Sequence, residues 1–241
     1  MTNQTNTSET SKKLFGGKRA SAYEARVRQV VPGYDALHDL SYLLLNRAVG
    51  DGGHVLIAGC GSGNDLLSLA RECPNRTFTA FDPSPDMMDL ATETVNTAKL
   101  TNRCQLLTGT IDNIREDAQF DAATLMLVMH FVPDIDGPTG KRHLLKSISS
   151  RLKPGAPFVF AEALADRASV SFAADLDLWR QSMRLAGMDP DEEAKGFKKI
   201  VSQMPLIGEP RLRELLNAAE FGEPELFYRE HLIHGWLVRK R

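Results

Sequence analysis

A glycine-rich turn between a short apolar segment and an amphipathic one constrains the fold of this chain more than any other feature. Residues 55–58 read Val-Leu-Ile-Ala, residues 59–63 read Gly-Cys-Gly-Ser-Gly, and residues 64–72 have helical periodicity. Glycine lets a backbone turn sharply and approach a ligand closely, and a helix N-terminus offers free N–H donors. The pattern therefore predicts a strand, a turn and a helix, with the turn serving either ligand binding or close packing.

The alternation of apolar and amphipathic segments continues as far as residue 164. Such an alternation favours a mostly parallel sheet whose strands are joined by right-handed helical crossovers. The predicted strands are 54–59, 77–81, 104–109, 120–129 and 157–164, and the predicted helices between them are 64–72, 85–98 and 141–152.

The alternation stops after residue 164. Residues 166–206 have mainly helical spacing and are predicted to form an insertion over the carboxyl ends of the strands, where open α/β sheets bind ligands. A last helix is predicted at 211–219. Segments 225–230 and 231–240 follow one another so closely that they predict an antiparallel hairpin at the end of the sheet.

We expect one α/β domain over residues 16–241, which begins with helices in 16–50, and a disordered polar tail over 1–15. The 241 residues are 42% hydrophobic, enough for one sizeable core, and carry a formal net charge of −2. A charge so near zero disfavours a protein that coats nucleic acid. The sequence has no apolar run of about 18 residues that would predict a membrane span, and its N-terminus lacks a secretory signal pattern.

The three cysteines are scattered and form no CxxC pair, so neither a disulfide framework nor a metal site is expected. Together with the absence of a signal pattern, this usage predicts a cytoplasmic protein.

Two acidic residues lie where the predicted strands end. Asp82 follows the second strand, 19 residues after Gly63, a position from which a carboxylate can accept hydrogen bonds from ribose hydroxyls. Asp112 follows the third strand within Gly-Thr-Ile-Asp, beside the expected position of a nucleoside base. The third glycine of a dinucleotide fingerprint would fall on Asn64, which disfavours a nicotinamide enzyme. A helix cap at Asp82 and a solvated loop residue at Asp112 are the alternatives.

These segments together resemble the class I S-adenosylmethionine-dependent methyltransferases. The resemblance rests on residues 59–63, 81–88, 109–112, 125–134 and 152–162. It implies a Rossmann-like class I methyltransferase fold with a seven-stranded, mostly parallel sheet, a reversed last strand and a helical insertion after strand 5. It also implies S-adenosyl-L-methionine as the cofactor.

Residues 27–40 and 198–238 are similar to the carboxy-S-adenosylmethionine synthase branch of that family, which implies that Tyr34 contacts the cofactor. The sequence departs from that branch at Met126, which replaces an Asn, and at Lys198 or Lys199, which stands near its carboxylate-binding Arg. Ile57 occupies a strand position that is often acidic. The resemblance places other cofactor contacts at Gly59, Cys60, Gly61, Asp82, Pro83, Thr110 and Ile111. We add Gly63, Met87, Asp112 and Met126 as candidate cofactor contacts.

We therefore expect methyl transfer to a small-molecule acceptor, with no partnership with nucleic acid or membrane and with a homodimer left open. His130 and Glu162 are the candidate catalytic residues, although a satisfied strand-end histidine and a glutamate that caps the insertion are the alternatives. Tyr23 and His38 are predicted to lie on the surface of amphipathic helices. The apolar residues Phe172, Trp179, Met183, Met188 and Phe197 predict either plain core or an acceptor pocket.

Two other functions stay open at this point. One is a carboxy-S-adenosyl-L-methionine synthase-like enzyme that acts on the cofactor itself, and the other is a non-catalytic nucleoside-binding protein. The departures at Met126 and at Lys198 or Lys199 favour the ordinary cofactor over the carboxylated one.

Overall fold

The computed structural model describes residues 25–241, and for residues 196, 198–201 and 203 it describes the backbone alone. The predictions made for Tyr23 and for the tail 1–15 fall outside this part of the chain. Residues 25–30 are helical. Within the described part, no helix has both the length and the apolar character that a membrane crossing requires.

Seven strands form one sheet in the order β3-β2-β1-β4-β5-β7-β6. All neighbours from β3 to β5 are parallel, and β7 is antiparallel to both β5 and β6. The predicted fold class, including the reversed last strand, is confirmed. The strands are β1 His54–Ala58, β2 Thr77–Asp82, β3 Cys104–Thr108, β4 Ala122–Met126, β5 Pro157–Ala163, β6 Glu225–Glu230 and β7 Ile233–Arg239.

Helices cover both faces of the sheet because the central strands β1, β4 and β5 are apolar on both sides. The helices are α1 Tyr34–Val49, α2 Asn64–Glu72, α3 Pro85–Thr97, α4 Lys141–Ser150, α5 Phe172–Leu185, α6 Pro190–Gln203 and α7 Glu209–Ala218. Apolar residues of α1, α2 and α3 pack on one face of the sheet, and those of α4 and α7 pack on the other.

Helices α5 and α6 form the predicted insertion between β5 and α7. Trp179, Met183 and Met188 are buried together with Leu232, which follows β6. The indole Nε1–H of Trp179 donates a hydrogen bond to the Val30 carbonyl at 2.6 Å, which ties α5 to the helical residues 25–30. Phe172 and Phe197 are partly buried against the same cluster, so all five residues that were expected to form either core or an acceptor pocket belong to one apolar cluster.

The predictions for His38 and for the end of β4 were wrong. His38, expected on the surface of an amphipathic helix, is only 5% exposed, whereas Leu40 on the same helix is 41% exposed. Strand β4 ends at Met126 rather than at residue 129, because Leu127 adopts a left-handed φ of +57°.

Candidate functional site

The turn between β1 and α2 has the geometry that its glycines require. Gly59, Gly61 and Gly63 have φ values of +67°, +52° and +85°, a region that side chains with a Cβ rarely adopt. A Cβ on Gly59 would lie 2.5 Å from Cγ2 of Val128, and one on Gly63 would lie 3.2 Å from Cα of Ala91. A Cβ on Gly61 would meet no atom within 4 Å. Packing therefore explains two of the glycines, and Gly61 faces open space.

Asp82 fastens this turn to the end of β2. Its Oδ2 accepts a hydrogen bond from the Gly61 N–H at 3.1 Å, and its Oδ1 accepts one from the Ser84 N–H at 2.9 Å. Burial raises the pKa of Asp82, and the two N–H donors only partly offset that rise. Because a carboxylate has about four acceptor positions, both oxygens keep capacity for further donors such as hydroxyl groups.

Ser84 is the N-cap of α3 and accepts a hydrogen bond from the Met87 N–H. In this geometry Asp82 can therefore anchor the turn and accept hydrogen bonds from a ligand at the same time. Pro83, between these two residues, is partly exposed.

Four of the predicted cofactor contacts have buried side chains: Cys60, Met87, Ile111 and Met126. The Cys60 Sγ lies 3.6 Å from the Met88 Sδ, and burial raises the pKa of this thiol. The backbone N–H of Cys60 donates to the Phe81 carbonyl at 3.0 Å, so this residue supports the turn from within.

The loop after β3 forms a short helical turn, Ile111–Asn113, whose N-cap is Thr110. The side chain of Ile111 is buried, whereas those of Thr110 and Asp112 are exposed. Asp112 Oδ1 lies 2.7 Å from Nε2 of His143 on α4, so this carboxylate already has a protein partner. The Thr110 hydroxyl donates to Asp112 Oδ2 at 3.3 Å and accepts from the Asp112 N–H at 3.4 Å, so both side chains already have protein partners.

His130 lies in the turn that follows β4, and its ring is buried. The Nδ1 atom accepts a hydrogen bond from the Ala163 N–H at 3.2 Å. Burial, assisted by the nearby Lys141 charge, lowers the pKa of His130 to about 3. The imidazole is therefore neutral at physiological pH, and its Nδ1 lone pair is engaged at the end of β5.

Glu162 lies on β5 and is completely buried, and neither of its carboxylate oxygens has a hydrogen-bond partner. Burial raises its pKa to about 8, while attraction to Lys141 acts in the opposite direction. The Lys141 Nζ donates to the carbonyls of Met129 and Val132 at 2.6 and 2.7 Å. These buried charges link β5 to the loop after β4 and to the start of α4.

A polar cluster that the sequence did not predict lies where α1 contacts the start of α2. Nδ1 of His38 lies 2.9 Å from Oδ1 of Asp65, and the Tyr42 hydroxyl donates to the same oxygen at 2.9 Å. The Tyr34 ring centroid is 4.1 Å from that of His38. The spacing of His38 and Tyr42 by one helical turn, and Asp65 directly after the glycine turn, were the available signals.

The residues present fit a nucleoside ligand at the carboxyl ends of β1 and β2. Gly61 leaves room for close approach, α2 begins beside it, and Asp82 can accept ribose hydroxyls. The side chains of Lys198 and Lys199 lie outside the described part. Among the described residues, no group of histidine, cysteine and carboxylate side chains is arranged to hold a metal ion.

Part of this chain is similar to known proteins. Residues 55–155 match the family model described as a methyltransferase domain. The carboxy-S-adenosyl-L-methionine synthase of Chromohalobacter salexigens is 28% identical over 152 residues, which cover 62% of this chain and 54% of that protein. The protein of the same name from Shewanella woodyi is 29% identical over 153 residues, covering 62% of this chain and 60% of that one. The chain thus spans less than two thirds of these relatives.

A solved O-methyltransferase family protein from Burkholderia thailandensis has a similar fold, with a TM-score of 0.68. It is 16% identical, and the match covers 96% of this chain and 62% of that one. At this identity the similarity shows a common fold and nothing more. The family match covers the glycine turn, Asp82 and the loops after β3 and β4, which are the parts that form the candidate site.

Proposed function

We propose that this chain, which carries a methyltransferase domain over residues 55–155, binds S-adenosyl-L-methionine and transfers its methyl group to a small-molecule acceptor. The observation that carries the proposal is the open side of Gly61 next to Asp82, on the same turn that begins α2. The positive φ of Gly61 is by itself sufficient reason for a glycine there, so the support for a ligand comes from the open position, the Asp82 carboxylate and the start of α2 lying together. The family match and the curated relatives support this cofactor.

The cofactor supplies an electrophilic methyl group on a sulfonium, so the protein has little covalent chemistry to perform. The chain's residues orient the ligand: Asp82 accepts from the ribose, and the loop at Thr110 lies beside the base. Alignment of the acceptor with the methyl group and exclusion of water supply most of the rate enhancement in such a displacement. The buried ends of β4 and β5, where Met126 and Ala163 lie, provide apolar walls for that purpose.

A base is needed only for an acceptor that arrives protonated. We retain His130 and Glu162 as candidates for contact with the acceptor side of the site. The low pKa of His130 keeps its imidazole unprotonated, so it can accept a hydrogen bond but is a weak base. Glu162 holds its proton to higher pH than a surface glutamate, which suits a hydrogen-bond donor better than a base near neutrality.

Calorimetric titration with S-adenosylhomocysteine tests the cofactor assignment. Asp82→Asn removes the charge that would accept ribose hydroxyls, and we expect affinity to fall by about tenfold or more, equivalent to about 1.4 kcal/mol. Asp89→Asn, an exposed carboxylate change on α3, is the matched control and should bind like the unmodified protein. Unchanged affinity in Asp82→Asn would refute the role of Asp82, and no binding to the unmodified protein would refute the function.

A second candidate function is a carboxy-S-adenosyl-L-methionine synthase-like activity on the cofactor itself. The observation that favours it is that the two relatives described above are carboxy-S-adenosyl-L-methionine synthases, which this chain matches over 62% of its own length. Native mass spectrometry of the purified protein separates the two candidates, because the carboxylated cofactor is heavier by one carboxylate. Copurified ordinary cofactor with methylation of an acceptor supports the first function, and ligand binding without turnover supports a non-catalytic protein.

We further propose a cytoplasmic location and no nucleic-acid or membrane partner, and a homodimer stays open. The same native mass spectrum reports the oligomeric state, and therefore tests the homodimer directly.

A further inference from the structure

The cluster of His38, Tyr42 and Asp65 holds a buried hydrogen-bonding atom that has no partner among the residues that the structure describes. Both Nδ1 of His38 and the Tyr42 hydroxyl lie 2.9 Å from Oδ1 of Asp65. The other ring nitrogen of His38, Nε2, is buried and makes no hydrogen bond. Buried polar atoms in native proteins are nearly always hydrogen-bonded, so an unpartnered one calls for an explanation, and a bound ligand is one.

This cluster lies beside the glycine turn. Asp65 is in the first turn of α2, which begins at Asn64 immediately after Gly63. The interface of α1 with α2 also buries Ile57 of β1, which packs with Leu45 of α1. His38 is therefore close to the amino end of α2, where the helix dipole favours anions. Because Ile57 is apolar, strand β1 itself offers no charged side chain at this place.

The charges around His38 favour its protonated form. Burial lowers its pKa, but attraction to Asp65 and the hydrogen bond between them raise it by more, and Asp35 raises it further. Arg28, on the helical residues before α1, acts in the opposite direction. With Nδ1–H directed at Asp65, a protonated His38 presents a second N–H donor at Nε2, and this donor calls for an acceptor, preferably an anion.

We propose that Nε2–H of His38 binds the carboxylate of the amino-acid end of the cofactor, and that Asp65 and Tyr42 hold the ring in position for it. The inference rests on the proposed function, because it assigns one residue to one end of that ligand. The ribose lies at Asp82, on the other side of the glycine turn. The partly exposed Tyr34 ring lies 4.1 Å, centroid to centroid, from the ring of His38.

Two ligands that differ at the amino-acid end test this proposal. S-adenosylhomocysteine carries the amino and carboxylate groups, whereas 5′-methylthioadenosine shares its adenosine and thioether but lacks them. In His38→Phe, which keeps a ring next to Tyr34, we expect affinity for S-adenosylhomocysteine to fall by about tenfold or more and affinity for methylthioadenosine to change by less than about twofold. Asp39→Asn, an exposed change on the same helix, should alter neither affinity.

The pH dependence of binding provides a second readout. His38 has a raised pKa, so the imidazolium persists to higher pH than in an ordinary histidine and is lost as the pH rises through that value. Affinity for S-adenosylhomocysteine should fall over this interval, and Asp65→Asn should move the fall to lower pH. The affinity for methylthioadenosine should stay flat in the unmodified protein.

The outcomes separate the two levels of the argument. If the unmodified protein binds neither compound, the proposed function fails. If it binds both, but His38→Phe weakens both equally or weakens neither, the function stands and the assignment of His38 is wrong. If His38→Phe fails to fold, His38→Gln, which keeps a neutral donor, replaces it. His38→Gln should bind S-adenosylhomocysteine more weakly and without the pH dependence. Unchanged affinity together with unchanged pH dependence would overturn the proposal.

Discussion

Placing a methyl group on Gly61 tests directly whether the open side of the glycine turn is where the ligand lies. The left-handed φ of +52° means that alanine there is strained by roughly 1–2 kcal/mol. No atom lies within 4 Å of the new Cβ, so no packing penalty is added. For a chain of this size, each kcal/mol lowers the melting temperature by about 2–4 °C, and we expect Gly61→Ala to melt about 2–8 °C lower.

The matched control is Gly155, which precedes β5 at the opposite end of the sheet. It has a φ of +77°, and a Cβ added there would also meet no atom within 4 Å. Gly155→Ala should therefore be destabilised to a similar extent by the same backbone strain. Gly59→Ala should be destabilised more, by about a further 1–3 kcal/mol of overpacking, because its Cβ would lie 2.5 Å from Val128.

The assay pairs thermal unfolding with calorimetric titration of S-adenosylhomocysteine below the unfolding range. We expect Gly61→Ala to lose about tenfold or more in affinity, while Gly155→Ala binds like the unmodified protein despite a similar loss of stability. Equal affinity in the two variants would refute the reasoning, since the space in front of Gly61 would then hold no part of the ligand.

Three further predictions concern stability. Glu162 has a folded-state pKa raised to about 8 from 4.5, so its contribution to stability is present below pH 4.5 and is lost as the pH rises to about 8. In urea denaturation across this interval, the free energy of unfolding of the unmodified protein should fall relative to that of Glu162→Gln. Parallel pH dependence of the two proteins would contradict this prediction. Trp179→Phe removes the hydrogen bond to the Val30 carbonyl and should lower the free energy of unfolding by about 1–3 kcal/mol, with faster proteolysis within α5 and α6 as the readout. Ser84→Ala removes the N-cap of α3 and should reduce stability by about 1 kcal/mol in denaturant unfolding, whereas an unchanged midpoint would mean that the cap contributes nothing.

The order of strands and helices could be predicted because strands and helices differ in period and length. The helix 64–72 was predicted with the bounds that the structure shows, and the reversed β7 followed from the short connection at His231. The end of β4 could not be predicted, because the apolar run continues to Val132. The chain leaves the strand where the Leu127 N–H bonds to the Ala161 carbonyl, a contact made with a distant segment.

The candidate site shows the same division between local and distant information. Gly59 to Gly63 and Asp82 belong to two consecutive strands of one βαβ unit, so their proximity was predictable. His38 was misplaced because periodicity counts apolar residues, and Leu40 looked like a better core residue. What buries His38 is Asp65, which lies on another helix, and no pattern within α1 reveals that partner.

The position of β7 in the sheet has a consequence for how the chain acquires its structure. Strand β5 forms hydrogen bonds to β4 on one side and to β7 on the other, and Pro157 is paired with Arg239. Until residues 233–239 are available, β5 therefore presents an unpaired apolar edge, the kind of surface on which chains associate wrongly. A ribosome-bound or truncated chain that ends before β7 can form the glycine turn but not the finished sheet, so the sheet is completed only when the last strand of the chain has been added.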